Sequence, residues 1–147
     1  MKRLLSGLQP TGFLHLGNYL GAVKNWVNLM DEGYETFVFI ANLHSITVPQ
    51  DPKQLQAQVI QAAATYIACG LDPQKCTIFV QSSIPEHAEL AWILSCFTPI
   101  GWMNRMTQFK EKSEKHVKNI NAGLFTYPSL MAADILLYQA HLVPVGE

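Results

Sequence analysis

The sequence predicts an α/β fold in which a mostly parallel sheet is flanked by helices. Short apolar segments alternate with longer ones whose apolar residues recur at helical spacing, and glycine or proline separates most of them. This alternation favours parallel strands joined by right-handed crossovers. The chain has 147 residues, which is enough for one domain with a single sizeable core.

The composition predicts an ordinary cytoplasmic globular protein. Hydrophobic residues make up 49% of the chain and charged residues 14%, and no apolar run approaches the roughly 20 residues of a membrane span. The N-terminal MKRLLSGLQPTG lacks the long apolar stretch of a signal peptide. The net charge of -1 is unusual for a surface that binds a nucleic-acid backbone. Contact with RNA would therefore come from a local patch or from outside this chain.

The three cysteines predict free thiols rather than a disulfide framework or a metal site. Cys69, Cys76 and Cys96 leave one cysteine unpaired in any disulfide scheme, and no C-x-x-C spacing indicates zinc. Their neighbours are mostly apolar or lie in predicted helices, so we expect buried free thiols.

The N-terminal segment predicts a strand, a loop and a helix. Residues 2–6 form a short strand, and the glycines and proline of residues 7–12 mark the loop that follows it. After Gly17 the apolar residues recur at helical spacing, and Gly33 is a C-terminal stop for this helix.

Two further strands enclose a second helix. FVFIA at residues 37–41 is a short apolar run of the kind that is buried in a parallel sheet. Asp51 and Pro52 form an N-cap and first-turn pair for a helix that ends at Gly70. CTIFV at residues 76–80 predicts the next strand.

The C-terminal part predicts two helices around a polar segment. PEHAELAWILSCF forms a helix that Pro85 opens and Pro99 closes, and residues 105–118 are the most polar of the chain. Pro128 then starts a strongly apolar helix that should be largely buried, and LVPV at 142–145 predicts a last strand. The chain ends just past this strand, at the edge where open α/β sheets bind ligands, so we expect the second half of a site to be missing.

The segment SGLQPTGFLHLGN has the features of a phosphate-binding loop. It lies between a predicted strand and a helix N-terminus, where free backbone N–H groups and the helix dipole favour anions. Gly7, Gly12 and Gly17 allow close approach of a ligand, and His15 and Asn18 can add side-chain donors. A plain turn is the alternative for such a loop.

The same loop resembles a signature of known enzymes. HLGN is similar to the HIGH signature of class I aminoacyl-tRNA synthetases, with Asn18 in place of the final histidine, as is usual in tryptophanyl-tRNA synthetases. SGLQPTG matches the same family. The resemblance implies a Rossmann-like catalytic domain, incomplete and represented by its N-terminal part in residues 1–147. It implies that the ATP site is lined by Gln9, Pro10, Thr11, Gly17 and Asn18, that His15 aids the phosphates, and that Gly146 and Glu147 reach the ATP.

Asp134 is an acidic residue in the middle of the apolar segment TYPSLMAADILLYQ. A buried carboxylate is costly unless a partner pairs with it. A neighbouring lysine or a backbone group is one possible partner. The other is the N–H of an indole ring, since indole has one donor and no acceptor and a selective pocket needs an acceptor in an apolar slot.

The stretch from MAADILLY to VPVGE also resembles the tryptophanyl-tRNA synthetases and favours the second possibility. The family uses this aspartate to accept the indole N–H of tryptophan, and a histidine at the position of His44 lies near both of its substrates. The resemblance implies that the tryptophan pocket consists of Asp134, Met131, Tyr127, Gln9, Leu5, Gly7, His44, Val143 and Val145. The alternative for each apolar residue is an ordinary core position, and for His44 an ordinary histidine after a strand.

RMTQFKEK at residues 105–112 resembles the family's insertion, which we place at about 85–125. Lys112, and less strongly Arg105 or Lys110, is expected to reach the triphosphate, with a solvated charged loop as the alternative. Trp102 departs from the acidic residue of many bacterial members. This region commonly contributes to a dimer interface, so Trp102 or Phe97 is expected to contact a second subunit of a homodimer.

The implied reaction is ATP-dependent activation of L-tryptophan to tryptophanyl-adenylate and its transfer to tRNA(Trp), with Mg²⁺ sharing the charge stabilisation. The KMSKS loop and the anticodon-binding region of the family are expected beyond residue 147, so this chain alone should be weakly active or inactive. Two rivals remain: a tyrosine-specific relative, and a non-catalytic nucleotide-binding or dimerisation module.

Overall fold

The computed structural model describes residues 1–12, 15–106 and 121–144 and contains a three-stranded parallel sheet. The strands β1 (Arg3–Leu8), β2 (Glu35–Ile40) and β3 (Cys76–Val80) are hydrogen-bonded in the order β1-β2-β3. The predicted parallel sheet is therefore confirmed. β1 is longer than predicted, because Gly7 pairs with Phe39 in β2 instead of opening the loop.

The end of the chain adds to the sheet on the far side of β1. Leu142 forms an isolated parallel bridge with Leu4, and the backbone N–H of Leu5 donates to the Leu142 carbonyl at 3.0 Å. The chain thus runs from β1 to β3 in one direction and returns to the opposite side of β1. In open α/β sheets this reversal marks the crevice where ligands bind. The predicted last strand is represented by this bridge, and Val145 lies outside the described residues.

Helices cover the sheet in the order that the sequence predicts. The first helix, α1, spans residues 16–31 and consists of the α-helical segments Leu16–Asn18 and Lys24–Asp31 around a π-helical turn at Tyr19–Val23. The later helices are α2 (Asn42–Ser45), α3 (Pro52–Ala68), a 3₁₀ turn (Gln81–Ser83), α4 (Glu86–Phe97), α5 (Ile100–Met103) and α6 (Ala122–Leu137).

Local capping explains where α3 begins and ends. The Asp51 side chain accepts the Gln54 backbone N–H at 2.8 Å, and Pro52 occupies the first turn. Gly70 has a φ of 110°, a conformation that glycine adopts without strain, just after the helix ends. The predicted bounds of this helix are confirmed.

The prediction that the last helix starts at Pro128 is wrong. Asn121 caps the helix by accepting the Leu124 backbone N–H at 2.9 Å, so α6 begins at Ala122 and carries Pro128 in its interior. The Asn121 amide also donates to the Thr47 carbonyl at 2.9 Å and ties this end of the helix to the rest of the fold. Nor is α6 largely buried, since Met131 is 40% and Leu136 56% exposed.

Two apolar clusters lie on opposite faces of the sheet. The larger one centres on Trp26 of α1 and Tyr66 of α3, whose rings meet edge to face at 5.5 Å. The smaller one contains Leu5, Phe39 and Ala41, with Phe37, Phe79, Ile135, Tyr138 and Ala140 packed around it. The smaller cluster supports the acidic residue of α6 described below.

The cysteines are free but not buried. Cys69 and Cys76 are half-buried and Cys96 is exposed, so the burial part of the prediction is wrong. Cys96 lies on the outer side of α4, a helix that is not covered there. Within the described ranges, no helix is long and apolar enough to cross a membrane.

Candidate active site

Three polar side chains follow the carboxyl ends of the three strands. Gln9 comes directly after β1, His44 lies in α2 after β2, and Gln81 comes directly after β3. Since parallel strands end at the same edge of a sheet, these side chains lie along one edge. This edge carries both groups of residues that the sequence singles out.

The loop after β1 borders a cavity of about 380 Å³, which we call the loop cavity. Its lining combines the predicted nucleotide loop with residues of α3: Leu8, Gln9, Pro10, Thr11, Gly12, His15, Asn18, Gln61, Ala62, Thr65 and Tyr66. The described lining mixes polar and apolar groups and carries no carboxylate. Such a surface suits an anionic ligand better than a cation.

His15 and Asn18 form the N-terminus of α1 beside this cavity. The Asn18 side-chain oxygen accepts the His15 backbone N–H at 3.1 Å. Because that oxygen is engaged, the amide nitrogen is the part of Asn18 that can donate to a phosphate oxygen. Gly17 is not in the cavity lining, and a Cβ there would lie 3.1 Å from the His15 ring. Gly17 thus makes room for His15.

Gln58 of α3 holds the loop in position. Its amide fits its surroundings when the nitrogen donates to the Pro10 carbonyl at 3.0 Å and the oxygen accepts from the Gly12 backbone N–H at 3.2 Å. Two opposed hydrogen bonds fix the loop backbone against α3. Gly12 has a φ of 79°, which this turn requires and glycine tolerates.

Asp134 of α6 is the centre of a buried hydrogen-bond network. The residue is 2% exposed. Its Oδ1 accepts from His87 Nδ1 at 2.6 Å and from Gln81 Nε2 at 2.9 Å. Its Oδ2 accepts from His44 Nε2 at 2.8 Å and from Gln81 Nε2 at 3.0 Å. The sequence left a lysine or a backbone group open as the partner of this carboxylate. The observed partners are three side chains, from α2, the 3₁₀ turn and α4.

Two of the three donors are themselves held tightly. His87 is fully buried, its Nε2 lies 2.9 Å from the Tyr138 hydroxyl, and its ring packs against Phe39, Phe79 and Tyr138. When Tyr138 donates to Nε2, the ring proton is on Nδ1, where it points at Asp134. The Gln81 side-chain oxygen accepts the Leu43 backbone N–H at 3.1 Å, which turns its nitrogen toward Asp134.

The network keeps Asp134 ionised. Burial alone would raise the pKa of the carboxyl, but the hydrogen bonds from His44, His87 and Gln81 together lower the pKa of Asp134 below its ordinary value. Burial, and then the negative charges of Asp134 and Glu86, raise the pKa of Tyr138 to about 12. The site therefore presents a buried carboxylate that three side-chain donors stabilise in its ionised form.

Tyr127 and Met131 share the face of α6 that carries Asp134, because residues 127, 131 and 134 follow helical spacing. The Tyr127 ring meets the His44 ring nearly edge to face at 6.1 Å. Tyr127 also lines a second cavity of about 370 Å³ between α2, α4 and α6, the helical cavity. Asp134 and Met131 line neither cavity.

The remaining residues of the predicted tryptophan pocket lie on or beside β1. Leu5 is buried in the smaller apolar cluster. A Cβ on Gly7 would lie 2.5 Å from the Phe39 carbonyl oxygen, so glycine permits the close pairing of β1 with β2. Val143 is half-buried, and the carbonyl of its neighbour Pro144 accepts from the Ser6 hydroxyl at 2.8 Å. Lys110, Lys112, Val145, Gly146 and Glu147 lie outside the described residues.

Comparison with known proteins identifies the family. A model of the tRNA synthetases class I (W and Y) matches residues 1–147. The chain belongs to this family. Class I membership agrees with the parallel sheet, with the loop between β1 and α1, and with the polar residues at the carboxyl edge.

Similar proteins include tryptophan–tRNA ligases and crystal structures of tryptophanyl-tRNA synthetases. The tryptophan–tRNA ligase of Prochlorococcus marinus is 60% identical over 146 residues, which are 99% of the chain and 43% of the ligase. The crystal structure of tryptophanyl-tRNA synthetase from Mycoplasma pneumoniae matches with a TM-score of 0.92 and 46% identity, over 99% of the chain and 42% of that protein. The crystal structure of the enzyme from Campylobacter jejuni, complexed with ADP and tryptophan, matches with a TM-score of 0.90 and 47% identity, over 99% of the chain and 45% of that protein. The chain spans less than half the length of these relatives.

Sequence reasoning missed several residues of the site. Gln81, His87 and Tyr138 complete the Asp134 network, and Gln58 supports the loop. Gln81 could have been predicted from the sequence, because it directly follows the predicted strand CTIFV, just as Gln9 follows the first strand. His87 carried a weaker signal, a histidine in an otherwise apolar helix.

Proposed function

We propose that this chain is the N-terminal part, with an insertion at about 85–125, of the catalytic domain of a tryptophan–tRNA ligase. The enzyme would use ATP to convert L-tryptophan to tryptophanyl-adenylate and then transfer the acyl group to tRNA(Trp). The observation that most supports this proposal is the buried, ionised Asp134, an acceptor within an apolar helix.

In this proposal Asp134 selects tryptophan by accepting its indole N–H. An acceptor on an otherwise apolar helix matches a ligand with one donor and no acceptor. Met131 would pack its sulfur on the indole ring. Its 40% exposure leaves the side chain available to a ligand. The other proposed contacts of tryptophan are Tyr127, His44, Gln9, Leu5, Gly7, Val143 and Val145.

ATP would bind at the loop cavity with its phosphates toward the start of α1. The proposed contacts are Gln9, Pro10, Thr11, Gly17, Asn18, Gly146 and Glu147. The tryptophan carboxylate attacks the α-phosphorus, a phosphorus–oxygen bond forms, and pyrophosphate leaves. Because the substrate supplies its own nucleophile, the protein contributes alignment and charge stabilisation.

His15, Asn18 and Lys112 are the residues that we assign to charge stabilisation on the phosphates. His15 and Asn18 support this role by their position at a helix N-terminus, where donors and the helix dipole favour anions. We expect Mg²⁺ to arrive as MgATP and to be held by the phosphates, since no carboxylate lines the described part of the loop cavity.

We infer that the enzyme is a cytoplasmic homodimer, since cytoplasmic translation uses its product. Trp102 and Phe97 are candidates for the subunit interface. They are 60% and 82% exposed, and Trp92 on α4 is 72% exposed. Large exposed apolar side chains of this kind are typical of protein–protein interfaces.

Tryptophan-dependent pyrophosphate exchange tests this function. The assay compares the chain with a chimera in which it replaces the matching residues of the Prochlorococcus marinus ligase. We expect exchange by the chimera and a rate at least about 100-fold lower for the chain alone, because one preorganised group at such a site is worth about that much. A chimera that folds but shows no tryptophan-dependent exchange would contradict the proposed function.

A further inference from the structure

We propose that His44 determines specificity by competing with the substrate for Asp134, so that tryptophan binds by replacing an imidazole N–H donor with an indole N–H donor. This inference rests on the proposed function and adds a step to it. Its basis is that side chains of the protein already donate hydrogen bonds to both oxygens of the Asp134 carboxylate.

Both oxygens of the Asp134 carboxylate are already hydrogen-bonded. Three donor nitrogens reach them at 2.6–3.0 Å: His87 Nδ1 at Oδ1, His44 Nε2 at Oδ2, and Gln81 Nε2, which bridges the two oxygens. Each oxygen thus receives two contacts, close to what the lone pairs of a carboxylate accept. An indole N–H that approaches Oδ2 therefore competes with a donor that is already there.

His44 is the donor that is held least. Gln81 and His87 are both fully buried, and each has a second hydrogen bond that fixes it, to the Leu43 backbone N–H and to the Tyr138 hydroxyl respectively. The His44 side chain is 10% exposed and sits on the four-residue helix α2. Within residues 1–12, 15–106 and 121–144, Asp134 is the one hydrogen-bond partner of the His44 side chain, whose ring also contacts the Tyr127 ring.

The exchange replaces like with like. Both the imidazole and the indole are aromatic rings that donate a single N–H, so Oδ2 keeps its donor when one replaces the other. In the wild type, the loss of the His44–Asp134 hydrogen bond offsets part of the binding free energy that the indole N–H contributes. A ring of the same shape without an N–H leaves the His44–Asp134 contact in place, because it has no donor that could replace His44 at Oδ2.

The test uses the chain within the Prochlorococcus marinus chimera and two ligands that differ in this donor. Calorimetry gives the dissociation constants of tryptophan and of 3-benzothienylalanine, in which sulfur replaces the ring N–H. The ratio of the two constants is measured for the wild type, for His44→Leu, which has no donor, and for His44→Gln, which keeps one. His44→Ala replaces the leucine variant if circular dichroism shows that the latter is misfolded.

If His44 competes, the preference for tryptophan rises about 2- to 10-fold in His44→Leu and stays near the wild-type value in His44→Gln. A merely structural or lining role changes both ligands equally, so an unchanged ratio in a folded His44→Leu would overturn this inference. A wild-type chain with no preference for tryptophan over the sulfur analogue would instead overturn the proposed contact between Asp134 and indole. The two failures are therefore distinct.

Discussion

The loop cavity and the Asp134 network lie at the same edge of the sheet but are built in opposite ways. The loop is one segment of the sequence and partly exposed, and the side chains of Gln58 and Asn18 hydrogen-bond to its backbone. Asp134 is buried and meets donors that lie 90, 53 and 47 positions away in the sequence. The loop is a local structure, and the network is a tertiary one.

Because of this difference, substitutions in the loop and in the Asp134 network should affect function and stability differently. Side chains of the loop can change without loss of buried hydrogen bonds, so their substitution should affect chemistry more than folding. Each member of the network leaves buried partners unpaired when it is removed. Substitutions there should affect both, and the following variants test this contrast.

The largest effect is expected for Asp134→Ala. It leaves the buried donors of His44, Gln81 and His87 without their acceptor, so we expect the free energy of unfolding to fall by about 3 kcal/mol or more. Urea unfolding followed by circular dichroism measures this change. Asp51→Ala is the control, since loss of an exposed N-cap costs about 1 kcal/mol. Equal losses in the two variants would mean that the network contributes little to stability.

His15→Ala and Asn18→Ala should act on chemistry instead. In the chimera we expect adenylate formation to slow on the order of 100-fold, because both residues lie at the helix N-terminus where we propose that the phosphates bind. Tryptophan affinity should be little changed, and stability should fall by no more than about 1 kcal/mol. Single-turnover kinetics and tryptophan titration measure the two effects. An unchanged rate with a much weaker tryptophan affinity would assign these residues to the amino-acid pocket.

Gln58→Leu tests the support of the loop, with a smaller expected effect. Loss of two hydrogen bonds to the backbone of Pro10 and Gly12 should raise the KM for ATP about 2- to 10-fold and leave tryptophan affinity unchanged. Gln56→Leu is the matched control, since Gln56 is exposed on the same helix. If the two variants behave alike, Gln58 does not position the loop.

The smallest effect is the pH dependence of stability. The pKa of Asp134 is lowered in the folded state, so its contribution is present above its ordinary value of 3.8 and is lost as the pH falls through the lower folded value. The difference in unfolding free energy between wild type and Asp134→Asn should shrink as the pH falls below about 4. A difference that stays the same down to about pH 2 would contradict the contribution of the ionised carboxylate.

The sequence predicted the strands and the loop between the first strand and the first helix because their signals are local. CTIFV and the Asp51-Pro52 cap correspond to observed boundaries, since the residues that define them are neighbours in the chain. The start of α6 was predicted wrongly at Pro128. A proline marks the first turn of a helix only if no residue before it caps the helix earlier. The Asn121 cap, together with its bond to Thr47, starts α6 at Ala122.

The network could be predicted only in part. Burial of Asp134 followed from its apolar neighbours, and so did its need for a partner. The identity of the partners did not follow, because Gln81 and His87 reach Asp134 only after β3 and α4 are packed against α6. Side chains that converge from separate elements leave no spacing in the sequence to recognise.

The central claim is that Asp134 selects tryptophan through its indole N–H. The most direct measurement is kcat/KM for tryptophan and phenylalanine in the chimera, with wild type and Asp134→Ala, which removes the acceptor. Loss of a hydrogen bond to a charged group should lower tryptophan use at least about tenfold and reduce the preference over phenylalanine by a similar factor. A folded variant that prefers tryptophan as strongly as the wild type would show that Asp134 is a structural residue and that specificity arises elsewhere.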